Sequence, residues 1–475
     1  MIQFRVGHCL KYFRIGLVLR LFFSLSTILL AADFATAVDV TFNIQLVSEL
    51  DPIAGSGSRY YADVWGNGNF AYVGADEPGG GIAIFDISNP ASPQFLTEYS
   101  GDQMEDVEVH NNIGYFSSDV SVTTGTGVDI VDLNPASPTY LQRLSRINGA
   151  IGGHNKVHTV AIENGFLYTV DNTANQSVTD FVKVWNVSDP SNPQFVTNID
   201  LGLPSRIASH EAIAANGRLY VASKNNSNNS GDGWTHIYDI SNVGTTGPVL
   251  LKAFESGPRT HTSRPTPDGK TLIVAEERPN GNVHLYDISM IDQPNDPDTP
   301  QLLKTLNRTS VGIEAHSPHH PQVLGNLLFL AWYEAGLQVF NIADPANPVH
   351  VGAFDTYVGT STNYNGNWGV YPFLGLDKVL LGDRARGLVI VDATPIVSTG
   401  DFDYDGDVDG RDFLAWQRGR SPLPLSASDL ATWQGDYSSP FTANIAVPEP
   451  SGVILLSWGV CLIMCQSFRA RNILI

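Results

Sequence analysis

Cysteine is nearly missing from this chain. Of 475 residues only Cys9, Cys461 and Cys465 carry a thiol, and all three lie in the terminal segments. The body between them can hold no disulfide, so its stability must come from a packed core or from bound ions. Basic residues are scarce as well: 27 Lys and Arg stand against 48 Asp and Glu, for a formal charge of −21. A phosphate backbone needs a basic face, so nucleic acid is excluded as a partner. No serine sits in a G-x-S-x-G elbow. No pair of histidines has helical metal-ligand spacing either, because His154 and His158 fall in a glycine-rich loop.

What the chain has in abundance is repetition. GIAIFDISNP, GVDIVDLNP, FVKVWNVSDP, THIYDISN, NVHLYDIS, GLQVFNIADP and GLVIVDATP are seven variants of one pattern. Their acidic or amide landmarks are Asp86, Asp132, Asn186, Asp239, Asp287, Asn341 and Asp392, separated by 46, 54, 53, 48, 54 and 51 residues. A period near 50 built from short alternating strands predicts one propeller blade per repeat. The second strand of each repeat reads as an aromatic and β-branched run such as Ala71-Tyr72-Val73 or Leu219-Tyr220-Val221. Asp/Asn-Pro turns follow the third strand, and an edge-like fourth strand such as Phe95-Leu96-Thr97 ends the unit.

The seventh copy ends at Pro395 with no fourth strand behind it. Gln45-Leu46-Val47-Ser48-Glu49-Leu50 matches Gln94-Phe95-Leu96-Thr97-Glu98-Tyr99 and is expected to complete that blade. Leu388-Val389-Ile390-Val391-Asp392, with Asp86-Ile87-Ser88-Asn89-Pro90, resembles the LVIVD repeat over residues 38–397, about 360 residues. The histidine-bearing inner strands also resemble the exported choice-of-anchor B propellers. These resemblances imply architecture and location, not chemistry.

Stacking the repeats puts Ala62, Glu105, His158, His210, His261, His316 and Trp368 in one column at the start of the inner strands. The next column reads Asp63, Asp106, Thr159, Glu211, Thr262, Ser317 and Gly369. Four imidazoles around one channel mouth, with Glu105, Asp106 and Glu211 close by, suit zinc, copper, iron or manganese. The same histidines could instead only satisfy strand ends between neighbouring blades. His154, His319 and His320 are further donors on loops, while Asp171, Glu276 and Glu277 read as loop carboxylates after second strands.

The two ends are also legible. Arg5, Lys11, Arg14 and Arg20 precede an apolar run over 21–32 and the A-x-A site Ala35-Thr36-Ala37, as in a secretory signal peptide. At the other end Val447-Pro448-Glu449-Pro450, an apolar stretch over 452–468 and Arg469-Ala470-Arg471 resemble a PEP-CTERM sorting signal. That resemblance implies a bacterial exported protein processed toward the cell surface. A plain membrane anchor is the alternative.

Between propeller and tail, Asp401, Asp403, Asp405, Asp409 and Asp412 occupy positions 1, 3, 5, 9 and 12 of a calcium loop. Gly406 takes the sharp turn, and Asp407 supplies its carbonyl. With Asp412-Phe413-Leu414-Ala415-Trp416-Gln417 echoed by Asp429-Leu430-Ala431-Thr432-Trp433-Gln434, the segment resembles a type I dockerin. The second loop carries no carboxylate before Asp429, so one Ca²⁺ is expected and cohesin binding is in doubt. The helices should bury Phe413, Leu414 and Trp416 against Leu430 and Trp433.

The reading is an all-β, seven-bladed β-propeller closed by its N-terminal strand, followed by a small α-helical EF-hand-like module. Its expected organisation is signal peptide 1–37, propeller 38–397, calcium module 400–437, linker with the VPEP motif 438–450, and hydrophobic tail 451–475. The expected function is non-enzymatic binding of a surface protein or glycan outside the cell, with the tail engaging the membrane and the sorting machinery. The alternative is a metal-dependent exported enzyme using the histidine ring.

Overall fold

The computed structural model describes residues 41–52, 60–120, 126–172, 181–203, 207–225, 231–293, 300–312, 317–357, 364–421 and 423–437. The proposed signal peptide, the VPEP linker and the hydrophobic tail lie outside them. Among the described residues no helix is long and apolar enough to cross a membrane.

Seven four-stranded antiparallel sheets form a seven-bladed β-propeller. In the first blade Tyr61–Asn67 is innermost, followed outward by Phe70–Ala75, Ile82–Asp86 and Gln94–Tyr99. The landmark residues owe their recurrence to one local bond. Each of the seven accepts, through its side-chain oxygen, the backbone N–H two residues on, at 2.8–2.9 Å. Asp or Asn is required because only a short side chain with an oxygen can close this turn between the third and fourth strands.

The last blade is built from Asn367–Tyr371, Val379–Asp383 and Gly387–Asp392, with Gln45–Leu50 as its outer strand. Gln45 lies opposite Asp392 as Gln94 lies opposite Asp86, and Val47 forms a bulge where Leu96 does in the first blade. The N-terminal strand therefore reproduces a fourth strand down to its irregularity. Arg386 ties it further through an ion pair with Glu49.

The core is divided rather than central. Buried apolar residues gather into wedges between neighbouring blades, such as Phe329, Leu337 and Val339 against Val379, Leu381 and Val389. Ile44 and Tyr404 join that wedge from the N-terminal segment and from the C-terminal helical module. The module is thus seated on the ring: Asn326, in a turn of the sixth blade, donates its backbone N–H to Tyr404 O at 3.0 Å and its amide to Asp405 O at 2.7 Å. Two helices follow, Gly410–Gln417 and Ala427–Asp436, capped by Asp409 and Ser426. Phe413 packs on Trp433 with ring centroids 5.0 Å apart. Leu414 departs from expectation and is 45% exposed, because it lies on the helix face turned away from that contact.

Removing residues 38–50 should leave the last blade with an unpaired edge and send the chain to aggregates. A milder variant, Ile44→Ala, should cost about 2–5 kcal/mol in urea unfolding; wild-type stability in both variants would show that the strand closes nothing.

The clasp also has an acid-sensitive element. His350 lies between Phe42 and Phe340, with ring centroids 4.9 and 4.7 Å away, and burial pushes its imidazole down to about 4. The folded state then binds fewer protons than the unfolded chain between pH about 4 and the ordinary value near 6.5. His350 contributes stability above that window, and the contribution fades as pH falls through it. The urea midpoint should therefore drop from pH 7 to pH 4.5, with a shallower drop in His350→Phe.

Candidate functional site

The site begins with a departure from strand regularity. In Ile207–Ala215 the register with the next strand slips between Ser209 and Glu211, and in Thr260–Pro265 it slips between Thr260 and Thr262. The same slip occurs between Asn367 and Gly369 in the last blade. A bulge breaks the alternation of faces, so two successive residues can turn toward one side. His210 with Glu211, and His261 with Thr262, both point toward the axis in this way. They form an upper ring at the channel mouth and a second layer beneath it.

The upper ring is tightly packed. Ring centroids are 4.4 Å apart for His158 and His210, 4.1 Å for His210 and His261, 4.2 Å for His261 and His319, and 4.4 Å for His319 and Trp368. The sixth-blade member is therefore His319. His316 lies outside the described residues, and Ser317, expected in the second layer, instead donates to the Pro318 carbonyl. Strand pairing sets this register: His319 N–H donates to Ala331 O, and Pro321 lies opposite Leu330, which places His320 in the second layer. The stacked sequence columns ran three residues early because they aligned histidines rather than pairing partners.

Hydrogen bonds fix which nitrogen each imidazole presents. His319 Nδ1 lies 2.6 Å from the Trp368 carbonyl oxygen, which can only accept, so Nδ1 carries the proton and Nε2 a lone pair. The Thr262 hydroxyl donates to the Glu211 carboxylate, so it must accept from His261 Nδ1 at 2.8 Å, and again Nε2 is left as a lone pair. These two Nε2 atoms lie 3.9 and 3.8 Å from opposite oxygens of Glu277. His210 Nδ1 is buried with no hydrogen-bond partner among the described residues.

Glu277 is the residue that sequence reasoning set aside as a loop carboxylate. It comes from the turn after Thr271–Glu276 and is held by an ion pair with Lys224 and by the Tyr333 hydroxyl at 3.0 Å. Arg259 stands 3.8 Å away with a left-handed backbone, φ 53°. Tyr333 also has positive φ, 29°. Two non-glycine residues in this region, both aimed at one carboxylate, mark a position where geometry was kept at the expense of backbone ease. Burial opposes ionisation of Glu277, but Lys224, His319 and Arg259 hold it down at about 2. Its predecessor Glu276 is fully buried, bonded to His284 at 2.8 Å and to Arg278.

Charge is divided unevenly around the mouth. Burial, reinforced by the Lys224 charge, drives His210 well below its ordinary value. Burial beside His210 does the same to His261, and burial takes His319 down to about 3. All three are neutral near pH 7. His158 is the exception. Burial alone would lower it, but Asp119 and Glu105 raise it to about 10. Its Nδ1 lies 3.2 Å from Glu105 Oε2 and 3.3 Å from Asp119 Oδ2, within ion-pair range of both although aligned for a hydrogen bond with neither.

Of the remaining expected site residues, Asp106 and Glu211 lie in the second layer rather than at the mouth. Asp106 accepts the Val160 N–H at 2.7 Å and so joins the second blade to the third. Glu211 accepts from Thr262 and, at 2.9 Å, from His320 Nε2. One donor atom from each of His158, His210 and His261 lies within 4.8 Å of the others, and the same holds for His261, Glu277 and His319.

In the C-terminal helical module, donors of Asp401, Asp403 and Asp412 share that spacing, as do those of Asp407, Asp409 and Asp412. Asp401 accepts N–H groups from Asp405 and Gly406 at 3.2 and 3.1 Å, which closes the turn. Asp405 is turned instead toward Arg411, 3.1 Å away. Burial, then the neighbouring Asp412, raises Asp401 to about 7, and burial with Asp405 raises Asp403 to about 6.

The LVIVD repeat model matches residues 58–100 and 322–356, so the chain carries LVIVD repeats in its first and sixth blades. No curated protein matches. Among solved structures, the computationally designed Ika8 protein is 13% identical with a TM-score of 0.44, covering 73% of this chain and 99% of its own. The Cps50 (Swd1) beta-propeller domain of Myceliophteria thermophila is 11% identical with a TM-score of 0.49, covering 73% and 98%. At that distance neither structure bears on chemistry.

Proposed function

We propose that this chain is an exported surface propeller that binds its partner through a transition-metal ion held at the channel mouth by His261, His319 and Glu277. The observation that carries the reading is a donor set: one ligand atom from each of His261, His319 and Glu277 lies within 4.8 Å of the others. Two imidazole lone pairs, on His261 and His319, face the two oxygens of an ionised carboxylate. Lys224 and Tyr333 already bond the carboxylate, and an ion seated beside it would take the two imidazole lone pairs with a shared carboxylate oxygen. Imidazole with carboxylate suits zinc, iron, copper or manganese rather than calcium.

The bonds that join blades use Nδ1 of His261 and His319, so a structural role for these histidines and a ligand role for Nε2 are compatible. His261 has one lone pair to give, and the two donor clusters share it, so the reading is one ion per chain. Such an ion would supply a Lewis-acid contact for an oxygen or nitrogen donor on a surface protein or glycan. Trp368 and Tyr333 are buried beside the mouth, and the partly buried Tyr364 packed against them would offer that partner an aromatic contact. Export and surface retention rest on the leader and the PEP-CTERM-like tail.

Metal analysis of the chain purified without chelator should find about one transition-metal equivalent. His261→Ala with His319→Ala should remove it while the far-ultraviolet circular dichroism stays that of the wild type. A wild-type chain that takes up no zinc, copper, iron or manganese from an equimolar mixture would defeat the reading.

The module on the sixth blade is proposed to hold one Ca²⁺ through Asp401, Asp403, Asp405, Asp409 and Asp412, with the Asp407 carbonyl. The spacing and the mutual repulsion of buried carboxylates support this. Calorimetry on the chelator-treated chain should show a single calcium site that Asp401→Ala with Asp405→Ala abolishes. Two equivalent sites would contradict it, since the second loop lacks the carboxylates to build one.

A further inference from the structure

We infer that Glu211 is a positioning residue for the mouth: acting through the Thr262 hydroxyl, it fixes the tautomer and orientation of His261 and so sets the affinity of the site for its ion. The inference rests on the metal reading above and deepens it.

The geometry is specific to this part of the ring. His210, His261 and His319 belong to three successive blades, and each is followed in the chain by a second-layer residue: Glu211, Thr262 and His320. Those three residues bond to one another directly beneath the imidazoles. One Glu211 oxygen takes the Thr262 proton, and the other lies 2.9 Å from His320 Nε2, across 109 residues of chain. Glu211 is 4% exposed, so no water competes freely for its oxygens.

The direction of each proton follows from what each group can do. An ionised carboxylate only accepts, so Thr262 must donate to it; a hydroxyl has one proton, so Thr262 must then accept from His261. The result is a proton on His261 Nδ1 and a lone pair on Nε2, facing Glu277. Without the carboxylate the hydroxyl could turn its proton toward Nδ1, and the opposite tautomer would place an N–H where the ion's ligand is needed. His319 does not depend on this relay, because the Trp368 carbonyl, a backbone group, holds its Nδ1 proton. The mouth thus contains one imidazole fixed by the main chain and one fixed by a removable side-chain relay. Groups that orient metal ligands in this way typically change affinity by about 10–100-fold when removed.

The test uses the full chain with zinc as the only probe, and variants Thr262→Val, Thr262→Ser and Glu211→Gln. Selective ¹⁵N-histidine spectra of the metal-free chain should show His261 as the single Nδ1–H tautomer in the wild type and in Thr262→Ser. Thr262→Val, nearly isosteric but without a hydroxyl, should give mixed tautomers. Its zinc affinity should fall about 10–100-fold, with stoichiometry and thermal midpoint close to the wild type, and Thr262→Ser should restore it. Glu211→Gln should follow Thr262→Val if it folds; if it does not, the threonine pair still decides. An unchanged tautomer in Thr262→Val, or a changed tautomer with unchanged zinc affinity, overturns the inference. A wild type that binds no zinc would instead overturn the metal reading, and the tautomer spectra would still judge the relay.

Discussion

Seven inner strands converging on one axis leave little room where they begin, and the chemistry of the mouth follows from that crowding. Four imidazoles and an indole stand with successive centroids 4.1–4.4 Å apart. At such spacing, charge on neighbouring rings would be ruinous in a buried setting. The ring resolves this by keeping three imidazoles neutral and placing the one cationic imidazole, His158, at the end of the row between Glu105 and Asp119. Neutral imidazoles retain lone pairs, so the packing that suppresses charge is the same packing that creates donors for an ion.

The crowding can persist only if the ring cannot open. A propeller with a free edge in its last blade could relax by spreading, and the inner strands would separate. Gln45–Leu50 removes that freedom by pairing with Gly387–Asp392, and Ile44 extends the closure into the wedge between the sixth and seventh blades. The C-terminal helical module reaches the same wedge through Tyr404, and Asn326 holds its backbone. Closure and docking therefore meet beside the blade that contributes His319, on the ring's opposite face from the mouth's histidine column. In this arrangement the module is a part of the propeller's outer packing as well as a spacer.

Much of the fold is legible in the sequence because its determinants are local. The landmark Asp or Asn closes a turn two residues long, and the fourth strand of the last blade can be matched residue by residue at the other end of the chain. The candidate site was less legible for a geometric reason. Stacking columns on histidines placed the sixth blade three residues early, whereas stacking on the pairing of first and second strands selects His319 and His320. Leu414 misled in a similar way: apolar character alone does not say which helix face it occupies.

The largest omission, Glu277, has a signal that the same pairing would have supplied. Counted from the second-layer residue of each blade, the position two residues beyond its partner on the second strand is Asp76, Asp119, Lys224, Glu277, Tyr333 or Arg384 in six of the blades. These residues make a polar rim above the histidines. Arg384 pairs with Asp76 at 2.9 Å, Lys224 with Glu277, and Asp119 with Lys156 at 3.0 Å. A position that is polar in so many repeats of an otherwise apolar strand is not a loop accident, because each such residue had to find a partner across a blade boundary. The rim therefore does for charge what the bulges do for the imidazoles: it sets groups from separate blades against one another, and it brings Glu277, paired with Lys224, up to the unprotonated nitrogens of His261 and His319.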